Sequence, residues 1–122
     1  MDAQLKRGLL DACVLAILAQ GESYGYRISQ DAERVMAVSE STLYPILRRM
    51  EQQGYLDTRQ QEHNGRLRKY YRITPNGEAR LQVFRGEWRE VKKMVDYIMN
   101  ASSAAGGGSE TDTREDGAND PQ

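Results

Sequence analysis

One cysteine, one histidine, one tryptophan and one phenylalanine are all that these 122 residues hold of those four types. Cys13, being alone, excludes an internal disulfide and suits a reducing cytoplasm. With His63 the sole histidine, there is no cluster with metal-ligand spacing, and no glycine-rich phosphate loop accompanies it. Cys13 lies among apolar residues with no histidine nearby in sequence, which fits a small core residue better than a nucleophile. His63 falls at a turn signal, where plain exposure is the simpler reading. Neither catalysis, a metal nor an organic cofactor is expected. No apolar run approaches the ~20 residues of a membrane span. The opening "MDAQLKRGLLDACVLAILAQG" mimics a secretory signal, but Asp11 interrupts its apolar stretch and the same residues suit an amphipathic helix.

The formal net charge of -1 hides a partition. Residues 101–122 hold five of the 18 acids and one of the 17 bases, which leaves the first hundred residues at +3. The same stretch has Gly106 to Gly108 in a row and no large apolar side chain. Such a segment cannot bury enough apolar surface to offset its ordering entropy, so a disordered acidic tail is expected. A mildly basic folded part permits nucleic-acid binding without demonstrating it.

Periodicity organises the rest. Leu5, Leu9, Cys13 and Ile17 make one helical stripe between Asp2 and Gln20, with Leu10, Val14 and Leu18 beside it. An arc that wide predicts packing on more than one side. Gly21 stops this helix, and Ser23 is expected to cap a second one that runs to Val35 with Ile28, Ala32 and Val35 inward. A third helix starts at Ser39 and stops near Gly54, with Leu43, Ile46, Leu47 and Met50 on its inner face. The pattern then turns extended: "YLDTRQQ" and "RLRKYYRIT" flank "EHNG", and Asn64-Gly65 is a two-residue hairpin signal. Thr74-Pro75 opens a last helix as N-cap and first helical residue. Helix, helix, helix, basic hairpin, helix is the order of a winged helix-turn-helix domain. The expected fold is mainly α with a small β-hairpin.

In the last helix Leu81, Phe84, Trp88, Val91, Val95 and Ile98 recur at the intervals of a heptad seam. From Pro75 to Met99 it would extend roughly 37 Å, longer than one small domain can cover. A second subunit is expected to bury the seam; packing on the first helix of the same chain is the alternative. Three segments follow: 1–73 for DNA binding, 74–100 for dimerisation, 101–122 as tail.

Stepping ~100° per residue around the third helix turns Ser41, Pro45, Arg48 and Gln52 outward, with Tyr44 and Arg49 on the flanks. Hydroxyls, a guanidinium and an amide suit base edges and phosphates in a major groove. Pro45 breaks the helix rule in the second turn. Its outward ring can touch a thymine methyl or a sugar, or it can serve only as a structural bend. On the hairpin, Arg66, Arg68 and Tyr70 share one face, while Leu67, Lys69 and Tyr71 share the other. Arginines near the tip suit phosphate or minor-groove contacts.

At these residues the chain resembles the PadR-like transcriptional regulators. "SYGYRISQ" (23–30), "STLYPILRRMEQQGYL" (41–56) and "GRLRKYYRITPNG" (65–77) are similar to that family's successive hallmarks, over roughly residues 5–99. The resemblance implies a dimeric winged-helix regulator, usually a repressor that releases double-stranded DNA on a small-molecule or environmental signal; the two-fold symmetry of such a dimer predicts an inverted-repeat operator. It places Tyr44, Pro45 and Arg48 on a recognition helix and Arg66, Arg68 and Lys69 on the wing. The full set expected at DNA is Tyr24, Ser41, Thr42, Tyr44, Pro45, Arg48 and Arg49 with those three wing residues. Leu5, Leu9, Phe84, Trp88, Val91, Val95 and Ile98 are expected at the dimer interface. Trp88 is also the candidate to stack a planar aromatic effector, as a tryptophan does in some short members of the family. Leu67 departs from the proline common at that wing position, and a single C-terminal helix matches the short branch. The competing function is a winged-helix protein-interaction module, which DNA binding and its salt dependence separate from the first.

Overall fold

The computed structural model describes residues 1–103, and the chain divides into two units, Met1–Phe84 and the residues from Arg85 onward. In order come α1 (Ala3–Ala19), β1 (Ser23–Tyr24), α2 (Gly25–Glu33), α3 (Glu40–Gln52), β2 (Leu56–His63), β3 (Arg66–Ile73) and α4 (Pro75–Asn100). The strands form one antiparallel sheet in the order β1-β3-β2. Asn64 (φ 52°) and Gly65 (φ 78°) turn the chain between the paired residues His63 and Arg66. Two consecutive positive φ values are what a type I′ hairpin requires, so Asn-Gly stands where it costs least.

The core of the first unit is one cluster. Leu10, Val14, Leu15 and Leu18 of α1 meet Ile28 and Ala32 of α2, then Leu43, Ile46, Leu47 and Met50 of α3. Leu56, Tyr71 and Leu81 close it from the sheet and from α4. Each fully buried leucine or isoleucine contributes about 1.5–3 kcal/mol. The wide apolar arc of α1 thus splits: Leu10, Val14 and Leu18 are buried, whereas Leu9, Cys13 and Ile17 are half-buried and Leu5 is 41% exposed.

Two local expectations are corrected. Ser23 does not cap α2, because its backbone pairs with Tyr71 as a strand and its hydroxyl is buried with no hydrogen-bond partner among the described residues. The helix instead begins at Gly25 behind an extended Tyr24. Nor does Val35 face inward. The N–H groups of Val35 and Met36 both donate to the Ala32 carbonyl, which tightens the chain and leaves Val35 68% exposed. Val38 enters the core in its place.

Helix α3 is tied to its neighbours by polar contacts as well. Arg49 donates to Asp11 of α1 at 2.7 Å in a part-buried pair. Thr74 begins α4 as its side chain accepts from the Gly77 N–H at 3.0 Å and donates to the Gly54 carbonyl at 2.6 Å. That hydroxyl joins the end of α3 to the start of α4.

The second unit contains the distal part of α4. Trp88 and Val91 are half-buried, Val95 is 43% exposed and Ile98 68% exposed. On its polar sides Lys92 pairs with Asp96 at 2.9 Å and Lys93 with Glu90 at 3.4 Å. The expected acidic tail lies, after residue 103, outside the described residues.

Candidate nucleic-acid interface

The outward face of α3 carries Ser41, Thr42, Tyr44, Pro45 and Arg48, all exposed. It is set by the four buried residues on the opposite side, Leu43, Ile46, Leu47 and Met50. At the helix start, Ser39 holds the N-cap position with an extended backbone but makes no side-chain cap bond. Its hydroxyl lies 2.8 Å from that of Ser41 and 3.2 Å from that of Thr42. Three hydroxyls therefore cluster at the start of α3, whose first turn also carries Glu40. Pro45 lacks the N–H that would reach the Ser41 carbonyl, and both residues lie on the exposed side, where water can take up that carbonyl.

Tyr44 packs onto α2. A β-carbon built on Gly25 would lie 2.5 Å from the Tyr44 Oη, so only glycine lets the ring approach this closely. Burial raises the Tyr44 phenol above its ordinary value, and the Glu40 carboxylate adds to that. The group remains a neutral hydroxyl donor at physiological pH.

Arg49 and Lys69 are otherwise engaged. Arg49 turns from the outward face toward Asp11, for its flank position on α3 faces α1. Lys69 sits 3.4 Å from Glu51 and 5.3 Å from the Tyr71 ring centre. Arg66 is exposed at the hairpin tip, and Arg68 lies over the Tyr24 ring with its guanidinium carbon 3.9 Å from the centroid. Among the described residues Arg48, Arg66 and Arg68 make no ion pair.

Sequence reasoning passed over Arg59 and Glu22. Arg59 of β2 forms an ion pair with Glu22 from the α1–β1 turn and covers the Tyr70 ring at 4.8 Å. The Arg59 hydrogen bond holds the Glu22 carboxyl below its usual range, and the same bond raises the Arg59 guanidinium. Strand alternation does place Arg59 and Tyr70 on one face; the pairing of β1 with β3, invisible in a two-residue strand, brings Glu22 beside them.

Other chemistries have little support. Among the described residues no group of histidine, cysteine or acidic side chains could hold a metal, and no helix is long and apolar enough to cross a membrane. Cys13 is half-buried and desolvation raises its thiol above the ordinary range, so the nucleophilic thiolate is disfavoured.

Three helices, a short strand and a two-stranded wing, with a polar third helix beside basic hairpin residues, define a winged helix-turn-helix protein. The chain belongs to the transcriptional regulator PadR-like family, whose match spans residues 14–83. That family comprises transcriptional regulators, not enzymes. The chain is 34% identical over 106 residues to the transcriptional regulator Rv3488 of Mycobacterium tuberculosis, covering 86% of this chain and 97% of that one. Among solved structures, smu.1704 from Streptococcus mutans shares 46% identity, with a TM-score of 0.70, over 75% of this chain and 86% of its own. A PadR-like transcriptional regulator from Bacillus cereus shares 32% identity and a TM-score of 0.74, over 82% of this chain and all of its own.

Proposed function

We propose that this transcriptional regulator is a dimeric, sequence-specific DNA-binding repressor. One observation carries the reading: the exposed polar face of α3 stands with a wing whose Arg66 and Arg68 have no acidic partner among the described residues. In this reading α3 enters the major groove, where Arg48 reads a guanine edge and Pro45 rests on a thymine methyl or a sugar. Ser41, Thr42 and the helix N-terminus take up a backbone phosphate. The wing arginines add affinity by neutralising phosphates, with little sequence information. The seam Phe84, Trp88, Val91, Val95 and Ile98, together with Leu5 and Leu9, is assigned to a second copy, with residues 74–100 as the dimerisation segment. A two-fold dimer of this kind meets an inverted repeat with half-sites about 10 bp, or a multiple, apart. In this reading the signal is a planar aromatic compound that stacks on Trp88.

Footprinting on the DNA upstream of its own gene locates the operator. On that duplex Arg48→Ala should lose about 1–3 kcal/mol of discrimination, while Arg66→Ala lowers affinity for every sequence and flattens the salt dependence. Equal losses on operator and random DNA for Arg48→Ala would rule out base reading by that residue. Absence of any duplex binding would return the α3 face to protein recognition.

A further inference from the structure

The open face of the sheet alternates arginine and tyrosine. The register sets Tyr24, Tyr70 and Arg59 in one row across β1, β3 and β2, and Arg68 lies two residues nearer the turn on the same face. Arg68 covers the Tyr24 ring at 3.9 Å, and Tyr24 meets Tyr70 edge-to-face at 5.7 Å and 74°. Arg59 covers Tyr70 from the far side at 4.8 Å. Charge on this face is cancelled in two places, by Glu22 on Arg59 and by Asp57 on Arg72 at 2.9 Å.

Arg68 is treated differently. Its neighbour is a neutral π face, and it makes no ion pair among the described residues. A carboxylate would also hold the guanidinium, but it would cancel the charge and occupy two in-plane donors. A ring fixes the guanidinium plane and leaves its edge donors and its positive charge available. Ordering the side chain before binding removes part of the entropy that a free arginine would lose on a phosphate.

We infer that Tyr24 is a positioning residue that holds the Arg68 guanidinium, charge intact, to clamp one phosphate of bound duplex DNA. The inference rests on the DNA-binding reading above. Tyr70 stands against the edge of the Tyr24 ring, and the Glu22–Arg59 pair holds the opposite side of Tyr70.

The test is a double-mutant cycle on DNA affinity, read by fluorescence anisotropy on the footprinted duplex and a scrambled one over a range of salt. Arg68→Ala should weaken both complexes and flatten the salt slope by about 1. Tyr24→Leu should raise Kd about threefold to tenfold on both duplexes. Tyr24→Phe, which keeps the ring face, should recover most of the affinity that Tyr24→Leu loses. In the Arg68→Ala background, Tyr24→Leu should have no further effect. Additive losses in the double variant, or a Tyr24→Phe protein as weak as Tyr24→Leu, overturn the inference. Arg66→Ala separates the two levels: if it and Arg68→Ala both leave affinity and salt slope unchanged, the wing is off the DNA and the underlying reading fails too. If Arg66→Ala weakens binding while the Tyr24 cycle is additive, only the clamp is lost.

Discussion

Adding one methyl group at Gly25 should destabilise this protein, and removing a ring from another helix should reverse the sign. A β-carbon there lies 2.5 Å from the Tyr44 Oη, 2.7 Å from Cε1 and 2.9 Å from Cζ. Carbon contacts settle near 3.5–4.0 Å, so the ring must retreat by roughly 1 Å. Tyr44 is 39% exposed and can swing outward, at the expense of its packing on α2. Overpacking of this kind costs about 1–3 kcal/mol, and alanine regains at most about 1 kcal/mol over glycine in a helix. The net is a loss of about 1 kcal/mol, or roughly 4–8 °C in Tm for a domain of this size. Gly25 has no positive φ, so the clash is the whole obstacle. With Tyr44→Ala already in place the obstacle is gone, and Gly25→Ala should then stabilise by a few tenths to about 1 kcal/mol. Urea denaturation followed by circular dichroism, at one fixed protein concentration, gives both differences. Equal destabilisation by Gly25→Ala in the two backgrounds would refute the account.

Two further outcomes follow from other parts of the molecule. Val95→Asp places an ion on the assigned subunit seam, where burial without a partner costs several kcal/mol; analytical ultracentrifugation should find a monomer, or circular dichroism a poorly folded chain, with operator binding lost, and a normal dimer that binds the operator would contradict the interface. The Arg59 bond lowers the Glu22 carboxyl, so its stabilisation is present above the ordinary glutamate range and is lost as pH falls through the lowered value. Glu22→Gln should accordingly show a smaller drop in Tm on acidification than the original chain, and identical pH profiles would remove Glu22 from the sheet's support.

Much of this protein was legible along the chain because the signals are local. Thr74-Pro75 opens α4 through a cap bond that spans three residues, and Asn64-Gly65 turns the hairpin because those two side chains tolerate positive φ. The inner face of α3 follows from helical periodicity alone, since four apolar residues at that spacing bury together wherever the helix docks. Tertiary structure decided what depends on partners distant in sequence. Ser23 reads as a cap, but β3 claims its backbone, and a bond to a strand almost fifty residues away leaves no mark in the local pattern. Arg49 sits on the flank of a polar face, yet Asp11, 38 residues earlier, draws it to α1. The wing arginines look alike in sequence. Only the sheet register distinguishes Arg59, neutralised by Glu22, from Arg68, held on the Tyr24 ring with its charge intact, because cross-strand neighbours are set by pairing and not by spacing along the chain.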